Sequence, residues 1–109
     1  MAAKPAPLPP GRALHVGLVM FAAWPCVPSD GSRWRGWPTP EWESRYRELR
    51  RRLLVAPHPP ASETLSELFS LQVGLRDAME TFDAPPDIAS AWEESFKALS
   101  RAIALAEKQ

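Results

Sequence analysis

The 13 prolines of this 109-residue chain constrain its fold more than any other residue type. Each fixes its own φ and lacks a backbone N–H, so a helix accepts proline only in its first turn. They stand at the borders of segments: four crowd into residues 5–10, Pro25, Pro28 and Pro38 punctuate a stretch with Gly31 and Gly36, Pro57, Pro59 and Pro60 follow a charged run, and Pro85-Pro86 separate the last two runs. The share of proline is more than twice the usual figure of about 5%, yet 45% of the residues are apolar and charge is balanced at 13 against 13, a composition that folds. A chain of this length supports one hydrophobic core, which excludes a large multidomain enzyme.

Three proline-bounded runs carry a helical period. In the first, about 40–55, Thr39 offers a capping hydroxyl, Pro40 takes the first helical position, and Glu41 and Glu43 complement the dipole. Trp42, Tyr46, Leu49 and Leu53 make one apolar stripe, and Glu41/Arg45, Glu43/Arg47 and Glu48/Arg52 are spaced as i,i+4 ion pairs. The second run, about 63–83, starts at Ser62 or at Thr64, the latter with a capping box to Glu67, and its core face is Leu65, Leu68, Phe69, Leu75, Met79 and Phe82, widened by Leu71 and Val73. In the third, about 86–107, Ile88, Trp92, Phe96, Leu99, Ile103 and Ala106 recur at helical spacing. The expected fold is all-α: a small bundle of three helices, the last two forming a long antiparallel hairpin.

Residues 1–38 read as a proline- and tryptophan-rich arm, extended over 1–12 and solvated, then a short buried apolar segment at about 13–24 that suits a strand or a helix. That segment is too short for a membrane helix, and His15 together with Trp24-Pro25-Cys26 is a poor ending for a secretory signal. With one cysteine and two separated histidines, the sequence provides no disulfide and no recognisable zinc site. These features set the expectation of a cytoplasmic protein without membrane, metal or cofactor.

For catalysis there is little: no phosphate loop, nucleophile elbow or His–carboxylate cluster. The sharper pattern is Arg33-Trp34-Arg35 with Trp37, followed by Arg45, Arg47, Arg50, Arg51 and Arg52. Trp and Arg dominate interface hot spots, because an indole removes a large apolar area from water and a guanidinium stacks or pairs bidentately. Charge is also segregated, +5 over residues 1–60 and −5 over 61–109, so either the halves neutralise each other or the basic half meets an acidic partner. The expected function is a non-catalytic protein-binding module, a small accessory, adaptor or inhibitor protein of bacterial or phage type acting on a larger, multi-subunit assembly. Nucleic-acid binding by the same face is the alternative, and a homodimer is a third use of surplus apolar surface.

Overall fold

The computed structural model describes residues 7–21 and 35–108, and these form four helices: α1 (Pro10–Phe21), α2 (Pro40–Leu54), α3 (Ala61–Thr81) and α4 (Pro86–Glu107). The expected all-α bundle is present, with four helices in place of three. The apolar run resolves as helix because Ala13, Val16, Gly17 and Met20 all face inward, the spacing of one helical side. Helix α1 also begins earlier than expected, since Pro10 occupies the first turn, where no N–H is missed, and the Pro9 carbonyl accepts from Ala13 N–H at 2.9 Å. Before it, Leu8 is buried and donates its N–H to the Pro59 carbonyl at 3.3 Å, so residues 7–9 lie along the α2–α3 link and are not a solvated arm.

Each helix packs on two neighbours, α1 on α2 and α4, and α3 on α2 and α4, which closes a ring. The directions alternate. Gly17 meets Leu53 and Leu54 whereas Met20 meets Tyr46, and Trp42 meets Leu71 whereas Arg52 meets Glu63. Across the last seam Gln72 Nε2 donates to Ser100 Oγ at 2.6 Å and Phe82 lies 6.3 Å from Trp92. As numbers rise on one helix they fall on the next, the up-down-up-down arrangement of a four-helix bundle. On α4, the buried small residues Ser95, Ala98, Ala102 and Ala106 lie on the flank away from Ser100, where α1 approaches.

Local chemistry explains most boundaries. Thr39 Oγ1 accepts from Trp42 N–H at 3.2 Å, the expected cap of α2. Helix α3 begins at Ala61 with Pro60 as N-cap and no side-chain cap, so neither Ser62 nor Thr64 starts it; the Thr64 hydroxyl is buried and donates back to the Pro60 carbonyl at 3.0 Å. Phe69 is exposed, contrary to its expected place in the core, because Leu68, Leu71 and Leu75 fill the inward side of α3.

Aromatic side chains fill one end of the core. Trp42 stacks on Tyr46 at 5.5 Å, Trp37 lies 5.5 Å from Trp42 and 6.4 Å edge-on from Trp92, and Phe82 completes the group. The Trp42 indole N–H donates to the Leu71 carbonyl at 2.8 Å, and the Tyr46 hydroxyl donates to the Met20 carbonyl of α1.

Tyr46→Phe should therefore lower stability by about 1–3 kcal/mol, read from the urea midpoint, since it leaves that buried carbonyl without its donor. Trp37→Ala should cost about 3–5 kcal/mol as a large core truncation. Trp37→Phe should cost clearly less, because the indole N–H it removes is buried and has no hydrogen-bond partner among the described residues.

Candidate functional site

The expected partner-binding set is dispersed by the fold. Arg33 and Trp34 lie outside the described residues. Arg35 is exposed with φ at 51°, followed by Gly36 at 80°, a left-handed pair that turns the chain just before Trp37. Trp37 is only 7% exposed, held against Trp42 and Trp92, so its place is in the core and not on a partner-facing surface. Its arginine neighbour misleads: the left-handed turn lets consecutive residues face water and core.

Helix geometry divides the five arginines of α2. At about 100° per residue, Arg45 and Arg52 share one direction, Arg47 and Arg51 a second, and Arg50 a third. Arg45 Nη1 reaches Ser70 Oγ on α3 at 3.5 Å, beside a groove of about 280 Å³ lined by Trp37, Trp42, Val73 and Asp77. Arg52 bonds the Glu63 carboxylate and lies 3.6 Å from Glu67, so it crosses to α3 and does not take the expected i,i+4 pairing with Glu48. Glu48 instead holds Arg51 at 2.8 Å, while Glu43 and Arg47 form their expected pair at 2.9 Å. The hydrogen bond from Arg51 pulls Glu48 below its ordinary carboxylate range. Arg50 lies over the rings of Phe21, at 5.2 Å, and Tyr46, at 5.6 Å, a cation–π position at the α1–α2 seam.

The α2–α3 seam is thus where the basic and acidic halves of the chain meet. Among the described residues one carboxylate oxygen of Glu67 is buried without a hydrogen-bond partner, and burial raises its pKa despite the attraction of Arg52.

Sequence reasoning missed the apolar surface beside Arg50. Leu14, Leu18 and Phe21 recur at i, i+4 and i+7 on the outer side of α1, and they are 49%, 56% and 61% exposed. Leu54 of α2 joins them by lying directly on Gly17, where an added Cβ would sit 2.8 Å from Leu54 Cδ2. The signal was present in the run itself. Leu14, Leu18 and Phe21 form a second apolar stripe at helical spacing beside the buried one of Ala13, Val16, Gly17 and Met20. Arg50 of α2 lies over Phe21 at the edge of this patch, and α1 contains Arg12 and no acidic residue. Among the described residues no three His, Cys, Asp or Glu side chains cluster to hold a metal ion, and no helix is long and apolar enough to cross a membrane.

Comparison with known proteins yields no match: no family model, no curated protein and no solved structure corresponds to this chain.

Glu67 gives a titration test. Its pKa is higher folded than unfolded, so its contribution favours the folded state below the usual carboxylate range and is lost as pH rises through the folded value. Glu67→Gln should accordingly raise the thermal midpoint at pH 7, and the gain over the wild type should shrink as pH is lowered through the carboxylate range.

Proposed function

We propose that the protein is a non-catalytic protein-binding module, a small accessory, adaptor or inhibitor protein that engages a larger assembly through the α1–α2 surface. The observation that carries this reading is the exposed stripe Leu14, Leu18, Phe21 on a helix whose other side is already committed to the core. Fully burying one such side chain is worth about 1.5–3 kcal/mol, so a half-exposed stripe of three with Leu54 holds enough unburied area to anchor a partner. Its arginine border suits the aromatic and guanidinium chemistry of interface hot spots. The bundle supplies rigidity, because both helices that present the surface are locked by Gly17, Tyr46 and the α4 contact.

The division of the α2 arginines disfavours a phosphate-tracking face. Arg47, Arg51 and Arg52 each hold a carboxylate, and no two of the three directions lie on one line of the helix. A nucleic-acid ligand would also leave the apolar stripe uncovered.

The test is quantitative capture from the native source with the wild-type chain and with Leu18→Glu/Phe21→Glu. Both positions are exposed, so the double variant should melt within a few degrees of the wild type. A partner retained by the wild type and reduced about tenfold or more on the variant is the expected result. Identical captured sets would remove the α1–α2 surface from consideration. Single-stranded DNA or RNA binding that weakens steeply with salt would instead support the nucleic-acid reading.

A further inference from the structure

We infer that the groove between α2 and α3 is a binding site for a small zwitterion of the amino-acid or dipeptide class, an inference independent of the α1–α2 surface proposed above.

The two ends of the groove carry opposite charge. Arg45 stands at one end, with Nη1 3.5 Å from Ser70 Oγ. Asp77 stands at the other, seven residues further along α3 than Ser70, which is about 10 Å of helix. Helix α2 runs antiparallel to α3, so Glu41, about one turn before Arg45, lies towards the Asp77 end. Cation and carboxylates are therefore separated along the groove.

These charges are not consumed by the fold. Glu41 and Arg45 have the i,i+4 spacing of an ion pair, yet no ion pair joins them. Among the described residues Glu41 and Asp77 make no ion pair and no side-chain hydrogen bond. Arg45 makes only the long bond to Ser70, and Glu67, farther along the seam, attracts it without pairing. Between the ends the wall is formed by Trp37, Trp42 and Val73. The Trp37 indole N–H is buried and has no hydrogen-bond partner among the described residues, so the wall contains one donor that the fold leaves unused.

Charge complementarity selects the ligand. An anion alone would meet Glu41 and Asp77, a cation alone would meet Arg45, and a neutral apolar molecule would engage none of the three. A molecule with its carboxylate at the Arg45–Ser70 end and its ammonium at the Glu41–Asp77 end engages all of them, and its apolar body lies against the indoles and Val73. The groove volume of about 280 Å³ is at the small end for ligand pockets, which suits a molecule of this size.

The experiment titrates the full-length ¹⁵N-labelled chain with four probes that share one side chain. L-leucine and glycyl-L-leucine are zwitterions of different charge spacing, N-acetyl-L-leucine is the anion and L-leucinamide the cation. The readout is the Trp37 indole N–H resonance, identified by its loss in Trp37→Phe. At least one zwitterion should shift it saturably in the millimolar range and bind about tenfold or more tighter than the anion and the cation, the effect of one lost charge-assisted hydrogen bond. The tighter of the two zwitterions distinguishes a free amino acid from a dipeptide. Asp77→Asn should remove the advantage over N-acetyl-L-leucine, and Arg45→Gln the advantage over L-leucinamide. Both positions are exposed, so both variants should melt with the wild type. A saturable shift with none of the probes, equal binding of all four, tighter binding of the anion or the cation, or zwitterion binding unchanged in both variants overturns the inference.

Discussion

The core closes on one aromatic group, in which Trp37 meets Trp42 at 5.5 Å and Trp92 at 6.4 Å, Trp42 stacks on Tyr46 at 5.5 Å and Phe82 lies 6.3 Å from Trp92. Large flat side chains bury much apolar area, and through the Trp42 indole N–H and the Tyr46 hydroxyl this group is also tied to backbone carbonyls of α3 and α1. Trp37 enters from the residues that precede α2, Trp42 from its first turn and Trp92 from α4. The tryptophans that made the sequence look like an interaction surface thus include the ones that finish the core.

Charge follows the same geometry. A zero net charge formed from a basic and an acidic half resolves partly inside the fold, at the α2–α3 seam, where Arg52 reaches Glu63 and Glu67. Such partly exposed pairs contribute little to stability, and the buried oxygen of Glu67 marks a site where desolvation outweighs attraction. On the other side of α2 the ion pairs stay within the helix, Glu43 with Arg47 and Glu48 with Arg51, while Arg50 lies over the rings of Phe21 and Tyr46. One flank of α2 therefore reaches its neighbour through charge, and the other meets α1 through aromatic and apolar contact.

Much of this was legible in the sequence, and the divisions between success and failure have physical causes. Helix α2, with its Thr39 cap and Trp42, Tyr46, Leu49, Leu53 stripe, and α4, bounded by Pro86, follow from one-sided periodicity and proline placement. Helix α1 was ambiguous because a run of its length suits a buried strand as well as a short buried helix, and Gly17 disfavours helix and strand alike. The Thr64 capping box failed because Pro60 already provides the backbone geometry that starts α3. Trp37 looks surface-bound beside its charged neighbours, and only the left-handed turn at Arg35-Gly36 and the packing against Trp42 and Trp92 decide that it is covered.

The ring of helices has a kinetic side. Helix α1 lies between α2 and α4, so one of its two seams joins residues separated by most of the chain's length. In a helical bundle most contacts are local and form early, but this one brings together the first and last helices and carries the loop-closure entropy of nearly the whole polypeptide. Helix α1 is made before the other three and must wait for α4 to be complete before its inward side is fully covered. Until then α1 displays the inner stripe as well as the outer one, and the nascent chain is more adhesive than the folded protein.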